Sequence, residues 1–175
     1  YYGKNNYTIY YAGNIPIIFS APHGGPLAPS EIPDRVFGET VNDTRTKEMA
    51  EYVRQELYAL TGKYPHVIIN NLSRIKMDAN RDSIEAAQGN PSALYAWKEY
   101  NSFIFSARDK TNSTFAKGLY IDLHGHGHTL QRFELGYLLS ATELNKSNIE
   151  LNTTSYINKT SIKNLVKNSI HLLSL

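Results

Sequence analysis

The chain has 175 residues, 41% of them hydrophobic, and a formal net charge of +2; this apolar content suffices for one compact domain over residues 1–175. Lysine and arginine are dispersed among acidic residues, so no basic stripe predicts nucleic-acid binding, and no apolar run reaches the ~18 residues of a membrane span. The chain contains no cysteine, which excludes disulfides and thiolate metal sites. A transition-metal site would need histidine and carboxylate ligands, a donor set that favours Zn2+.

Two short apolar runs near the start, residues 7–12 and 15–20, predict strands. The second run leads into APHGGPLAPSEIPDR, a loop with four prolines and two glycines. An amphipathic helix follows and ends at Gly62, with Asn42 or Asp43 as the candidate cap. Its apolar face is predicted to contain Met49, Ala50, Val53, Leu57 and Leu60.

The second half of the chain continues the alternation of strands and helices. Residues 66–72 are typical of a buried strand, and a helix is predicted to begin near Pro91. Further strands are predicted from residue 118 and over 133–140, and a last helix over roughly 159–173. This alternation predicts an α/β sandwich around a mostly parallel sheet.

Three polar clusters each follow directly after a predicted strand. They are PHGG at 22–25, SRIKMDANRD at 73–82 and DLHGHGH at 122–128. In α/β sheets, ligand sites form in the loops outside the carboxyl ends of the strands. We therefore expect the three clusters to lie together on one rim of the sheet.

Two histidines at different strand ends, His23 and His124, are the predicted metal ligands, because zinc needs about three protein ligands and an open position for catalysis. His124 comes first after its strand, where rigid backbone can aim it. His126 and His128 are further ligands, proton shuttles or solvent-exposed loop residues.

The third ligand is expected to be a carboxylate between PHGG and the first helix. Asp34, Glu39 and Asp43 all lie in that interval and stay nearly equal alternatives. A helix N-cap is the competing interpretation of Asp43.

The middle cluster contributes Arg74, Asp78, Asn80 and Arg81. A planar guanidinium suits two-point binding of a carboxylate, so these residues are candidates for substrate binding, with a salt-bridged loop as the alternative. Glu134 is a candidate general base that takes a proton from metal-bound water, or else a partner of a surface cation.

The order of these motifs resembles the N-formylglutamate amidohydrolase family. PHGG, an acid before a helix, R-x-x-x-D-x-N-R and D-L-H-G-H carry the resemblance, over roughly residues 15–140. The family is similar in fold to zinc carboxypeptidases. The resemblance implies a three-layer αβα sandwich of the phosphorylase/hydrolase type with a mostly parallel, mixed sheet. It also implies zinc-dependent hydrolysis of a C–N amide bond in an N-acyl amino acid or a peptide-like substrate.

The resemblance also implies roles for individual residues. Zn2+ would be held by His23, His124 and Asp43, with Glu39 as the substitute acid. Asn80 and Arg81, grouped with Asp78, would grip a substrate carboxylate, and Arg74 would assist the substrate carbonyl or carboxylate. Family members are longer and carry their catalytic glutamate on a later strand; Glu134 is the stand-in for it here.

Two other hypotheses remain. The chain ends in the apolar run LVKNSIHLLSL, so a truncated or degenerate family member that binds metal or ligand without catalysis is one alternative. The other is a plain secreted α/β binding module, in which the ring nitrogens of His23 and His124 would lie more than about 6 Å apart, too far to share zinc.

Glycosylation sequons give an expectation about compartment. Seven Asn-x-Ser/Thr motifs begin at Asn6, Asn42, Asn71, Asn112, Asn145, Asn152 and Asn158. They predict a secreted, glycosylated chain, with a cytoplasmic protein of Asn-rich composition as the alternative. The sequence carries no prediction of the oligomeric state.

Overall fold

The computed structural model describes residues 1–163 and shows a mixed α/β chain. The chain divides into two compact units, Tyr1–Gly127 and His128–Leu175. The first unit contains an open, mostly parallel sheet of four strands with its helices. The second, in its described part, contains short helices.

The sheet consists of β1 (Thr8–Tyr11), β2 (Ile17–Ala21), β3 (His66–Asn70) and β4 (Leu119–Asp122), in the order β1-β3-β2-β4. β2 runs parallel to both β3 and β4, whereas β1 is antiparallel to β3. The carboxyl ends of β2, β3 and β4 therefore meet at one rim. The three polar clusters of the sequence leave the sheet at this rim, as predicted.

The helices of the first unit are α1 (Thr46–Thr61), α2 (Ser83–Ala87) and α3 (Pro91–Phe115), after a 3-10 turn at Lys4–Asn6. Those of the second unit are α4 (Ala141–Leu144), α5 (Asn148–Leu151) and α6 (Thr154–Lys159). Across residues 1–163, none of the helices has the length and apolar character that a bilayer crossing requires.

Strands β1, β2 and β3 have buried side chains on both faces of the sheet, since successive side chains of a strand point to opposite sides. One face packs against α3 in a cluster that includes Tyr10, Ile18, Ile68, Ala93, Ala96 and Tyr100. The other face packs against α1 in a cluster that includes Phe19, Val67, Ile69, Ala50, Val53 and Leu57. Val67, Ile68 and Ile69 of β3 are 0% exposed, and burying each such side chain contributes about 1.5–3 kcal/mol. β3 thereby anchors the rim from within.

Two sequence-based assignments around α1 are wrong. The helix begins at Thr46 with Arg45 as its N-cap, so neither Asn42 nor Asp43 caps it. Both side chains are engaged elsewhere, as described below. Met49 and Leu60 are 39% and 78% exposed, so the apolar face is narrower than predicted.

The strand predicted over 133–140 is also wrong. This run has no strand residues, and Phe133 and Leu135 are 88% and 85% exposed. A strand requires a pairing partner, and the run pairs with no strand among the described residues. The last helix differs from its predicted bounds, because α6 ends at Lys159. Residues 164–173 of that prediction lie outside the described residues.

Candidate metal centre

Close backbone packing positions the loop that carries His23. A Cβ atom on Gly25 would lie 2.1 Å from the backbone carbon of Asn71, and one on Gly24 would lie 2.5 Å from the backbone nitrogen of Lys47. Only glycine fits at these two positions, where the loop passes between the end of β3 and the start of α1. As a result His23 is drawn inside the rim, where it is 1% exposed.

Asp43 lies against both histidines. Its backbone N–H donates to the carbonyl oxygen of His23 at 3.1 Å. Its Oδ2 atom is 3.3 Å from Nδ1 of His23 and 3.1 Å from Nδ1 of His124. The two imidazole rings, tilted by 52°, have centroids 5.1 Å apart. The same nitrogen of each ring thus faces the same carboxylate oxygen.

These three side chains fit a single metal ion. One ligand atom from each of His23, Asp43 and His124 lies within 4.8 Å of the others. Ligands of tetrahedral zinc, with bonds of about 2.1 Å, are separated by roughly 3.4 Å, close to the two measured Nδ1–Oδ2 distances. Of the three carboxylates open from the sequence, the structure brings Asp43 to the histidines. The placement also contradicts the binding-module hypothesis, which required distant histidines.

Each histidine is backed by a second carboxylate on its other nitrogen. Nε2 of His23 is 2.7 Å from Oδ1 of Asp78, and Nε2 of His124 is 2.9 Å from Oδ2 of Asp122. An ionised carboxylate only accepts hydrogen bonds, so it holds the proton of a neutral imidazole on Nε2. With its proton on Nε2, a neutral imidazole has a lone pair on Nδ1 that could bind a metal ion beside Asp43. Carboxylates in this outer position orient metal-bound histidines in many proteins.

Asp78 is held in turn by cationic and backbone donors. Its side chain is 0% exposed, and its Oδ2 accepts from Nε of Arg74 at 2.9 Å and lies 3.8 Å from Nη1 of Arg35. The backbone N–H of Asn80 donates to Oδ1 at 3.0 Å. Burial would raise the pKa of Asp78, but hydrogen bonds from His23 and Arg74 outweigh it and hold the pKa well below its usual range. The carboxylate is therefore ionised at neutral pH.

The charge balance within the site favours a cation. Burial acts to raise the pKa of Asp43, but hydrogen bonds from His124 and His23 hold it well below its usual range. Hydrogen bonds to Asp122 and Asp43 raise the pKa of His124 to about 9. A proton on His124 therefore balances the carboxylates of the metal-free site, and a divalent ion can replace that proton.

The predicted substrate-binding residues divide between buried and exposed positions. Asn80 and Arg81 are exposed, and Nδ2 of Asn80 is 3.2 Å from Nε2 of His124. Nε of Arg81 pairs with Glu85 at 3.2 Å. Arg74 instead lies inside, with Nη1 3.6 Å from Oδ1 of Asp43, so it bridges Asp43 and Asp78. Asp78 itself has no exposed atom to offer to a substrate.

The other candidate acids have different partners. Asp34 pairs with Lys76 at 2.7 Å. Glu39 accepts from the backbone N–H groups of Val41 and Thr40, which lower its pKa. Neither belongs to the group that includes His23 and Asp43.

Glu134 lies in the second unit. Its Oε1 atom is 2.8 Å from Nδ1 of His128 and 2.9 Å from Nε of Arg132. Hydrogen bonds from His128 and Arg132 lower the pKa of Glu134. His126, in the first unit, is half-buried.

Three residues near the histidines carry no sequence-based role: Asp122, which contacts His124, Ser20, which donates to Asp122, and Arg35, which contacts Asp78. Asp122 had a usable signal, since it precedes His124 by two residues and strand periodicity puts both on one side. Arg35 is 5% exposed; its Nη1 donates to the carbonyl oxygens of Glu39 at 2.7 Å and Arg74 at 3.0 Å. No local pattern distinguishes such a buried arginine from a surface one.

Comparison of the chain with models of protein families, with curated proteins and with solved structures finds no match.

Proposed function

We propose that this protein is a zinc-dependent amidohydrolase that cleaves the C–N amide bond of an N-acyl amino acid or a peptide-like substrate. The observation that carries the proposal is the paired arrangement of His23 and His124. Both present Nδ1 to the same oxygen of Asp43, and both have Nε2 held by a further carboxylate. A histidine pair with only a structural role would not need both nitrogens of both rings oriented in this way.

Zn2+ suits this donor set of two imidazoles and one carboxylate, and when bound it supplies a Lewis acid and lowers the pKa of water. The chain's own residues supply the orientation. Asp78 and Asp122 orient the imidazoles, and Arg74 places one positive charge against the carboxylates of Asp43 and Asp78. His124, with 37% of its side chain exposed, marks the side from which a substrate would reach the centre.

Asn80 and Arg81 support the choice of a substrate that carries a carboxylate. Both are exposed, Asn80 contacts His124, and the guanidinium of Arg81 is held at Nε by Glu85. Among the described residues, Nη1 of Arg81 contacts only the backbone oxygen of Asn80, at 3.5 Å, and the side chain is 44% exposed, so its remaining N–H groups can bind a carboxylate. An amide whose amine portion is an amino acid has such a carboxylate close to the scissile bond.

A three-layer αβα sandwich of the phosphorylase/hydrolase type is part of the same proposal. Its support is the packing of α1 and α3 against opposite faces of the sheet. The motif order that resembles N-formylglutamate amidohydrolases supports the reaction class.

A second candidate is a protein that binds metal or ligand without turnover. One observation favours it: the carboxylates nearest the histidines are all engaged. Asp43 faces the centre itself, while Asp78 and Asp122 each hold an imidazole. Glu134, the predicted general base, is bound by His128 and Arg132. Among the described residues these contacts leave no free carboxylate beside the histidines to carry a proton.

Turnover distinguishes the two candidates. Zinc-loaded and metal-free protein would be incubated with N-formylglutamate, N-acetyl amino acids and blocked dipeptides, and release of the free amine would be followed. The amidohydrolase proposal predicts metal-dependent release, with a higher KM for Arg81→Ala than for the control Arg108→Ala, an exposed arginine on α3. Zinc binding without release of amine from any substrate would favour the second candidate.

A further inference from the structure

A chain of hydroxyl groups lies behind the more exposed histidine of the centre. Ser20 on β2 is 0% exposed, and its hydroxyl donates to Oδ1 of Asp122. The hydroxyl of Tyr120 on β4 is 2.6 Å from the same Oγ atom. Asp122 reaches His124 through its other oxygen, Oδ2. A continuous path thus runs from Tyr120 through Ser20 and Asp122 to His124.

The direction of the hydrogen bonds along this path is determined. Ser20 has one hydroxyl proton, and the ionised carboxylate of Asp122 can only accept it. The hydroxyl of Tyr120 must then donate to Ser20. Tyr120 as a whole is 43% exposed, yet desolvation, and next the charge of Asp122, raise its pKa to about 12, so the phenol remains a donor at neutral pH. Both oxygens of Asp122 are fixed as acceptors.

Strand register builds the path into the sheet. Ser20 is the register partner of Asp122 across the parallel pair β2–β4, and Tyr120 lies two residues before Asp122 on the same strand face. Rotation of the Asp122 carboxylate would break the bond from Ser20, so its orientation is set by the sheet. His124 is exposed and lacks the enclosure that fixes His23, which makes this support necessary.

We propose that Ser20, Tyr120 and Asp122 form a positioning unit for His124. It holds the ring so that Nε2–H of His124 donates to Asp122 and the Nδ1 lone pair is available to a metal ion, and it sets the affinity of the centre for that ion. The inference rests on the proposed metal centre and adds residues that touch no substrate. They act on the metal only through His124.

Metal affinity tests the proposal without any assay of activity. The dissociation constant for Zn2+ would be measured by competition with a chromophoric chelator for wild type, Asp122→Asn, Ser20→Ala and Tyr120→Phe. Loss of an outer carboxylate typically weakens metal binding by about 10–100-fold, and we expect this for Asp122→Asn. Loss of one supporting hydrogen bond should raise the dissociation constant about 2–10-fold, and we expect this for Ser20→Ala and Tyr120→Phe.

Tyr10→Phe is the matched control. Tyr10 lies on β1, the opposite edge of the sheet, and its hydroxyl bonds Nδ1 of His66, also at 2.6 Å. Like Tyr120→Phe, the Tyr10→Phe variant loses one tyrosine hydroxyl from the sheet, but it should leave the affinity for zinc unchanged. The visible spectrum of bound Co2+ should change for Asp122→Asn and Tyr120→Phe but not for Tyr10→Phe, since only the first two alter the ligand geometry.

The outcomes separate this inference from the proposed function. If wild type binds zinc and folded Asp122→Asn and Tyr120→Phe bind it equally well, the positioning unit is disproved while the metal centre stands. If folded wild type binds no zinc, the proposed centre and the unit that serves it fall together. Should Asp122→Asn not fold, the isosteric Tyr120→Phe decides the question alone.

Discussion

Buried histidines at the two ends of the sheet have different hydrogen-bond partners. At the carboxyl ends of the strands, His23 contacts the carboxylates of Asp43 and Asp78. At the other end, where β3 begins, His66 is just as deeply buried, at 1% exposure for each ring. Nδ1 of His66, however, meets the hydroxyl of Tyr10 at 2.6 Å and the backbone N–H of Gly13 at 3.2 Å. Burial is therefore equal, and only the partners differ.

The partners determine the charge that each histidine can carry. Burial, followed by the charge of Lys110, lowers the pKa of His66, so this ring remains neutral as part of the core. Carboxylates at the other end raise the pKa of His124 to about 9. A buried histidine with neutral partners is a packing element, whereas histidines that share a carboxylate could hold a cation.

Among the residues at the carboxyl ends of the strands, removal of Asp78 should have the largest effect on stability. Asp78→Ala removes the fully buried counter-charge of Arg74 and Arg35, which leaves Arg74 the longer contact with Asp43 and Arg35 the contact with the more exposed Glu85. Removing one partner of a buried ion pair costs about 3–5 kcal/mol. The free energy of unfolding, from urea titration, measures this loss. Asp82→Ala is the control; Asp82 is an exposed N-cap of α2 and its loss should cost about 1 kcal/mol. Equal losses would show that Asp78 has no special role.

Asn42 should have the next largest effect. Its Nδ2 donates to the carbonyl oxygen of Gly25 at 2.8 Å, and its Oδ1 accepts from the hydroxyl of Ser73 at 3.1 Å and the backbone N–H of Arg74 at 2.7 Å. Asn42→Ala should lower the free energy of unfolding by about 2 kcal/mol, since each bond is worth about 0.5–1.5 kcal/mol.

A second asparagine in a sequon provides the control for Asn42. Asn112 is exposed on α3, and Asn112→Ala should change the free energy of unfolding by less than about 0.5 kcal/mol. The same contrast applies to glycans. In folded protein from a glycosylating host, mass spectrometry should find Asn42 unmodified because its amide is bonded internally. A glycan on Asn42 of natively folded protein would contradict this geometry.

Much of the arrangement at the carboxyl ends of the strands was predictable from the sequence, and the reason is topological. Parallel strands bring their ends to one rim, so His23 and His124 could be grouped although they are distant along the chain. From the residues alone Asp43, Asp34 and Glu39 stayed nearly equal, and only the family resemblance favoured Asp43, because the choice depends on how the loop turns around Gly24 and Gly25. The inward direction of Arg74 depends on tertiary packing in the same way.

The errors occurred where local pattern lacks a tertiary partner. FELGYLLS alternates like a strand, yet no strand pairs with it among the described residues. The cap assignment for α1 failed because the side chains of Asn42 and Asp43 hydrogen-bond to other residues at the rim. Both errors arise from contacts between residues distant in sequence, which periodicity does not report.

A pH titration should produce the smallest effect, and it tests His66 at the start of β3. The folded-state pKa of His66 is below the unfolded value of about 6.5, so the unfolded chain takes up the proton first as the pH falls. Stability is therefore lost as the pH falls through about 6.5 toward the lowered folded pKa. Between pH 7.5 and pH 5, the free energy of unfolding should decline more for wild type than for His66→Gln. The extra decline should be about 1.4 kcal/mol for each pH unit by which folding lowers the pKa of His66. Parallel declines would mean that His66 titrates normally.

Zinc stoichiometry tests the central claim most directly. Elemental analysis would be applied to the purified chain, to the His23→Ala, His124→Ala double variant and to His66→Gln, each verified as folded. The shared centre predicts about one zinc per chain in wild type and in His66→Gln, and none in the double variant. Folded wild type without zinc, or a double variant that retains it, would contradict the claim that these two histidines form a metal centre.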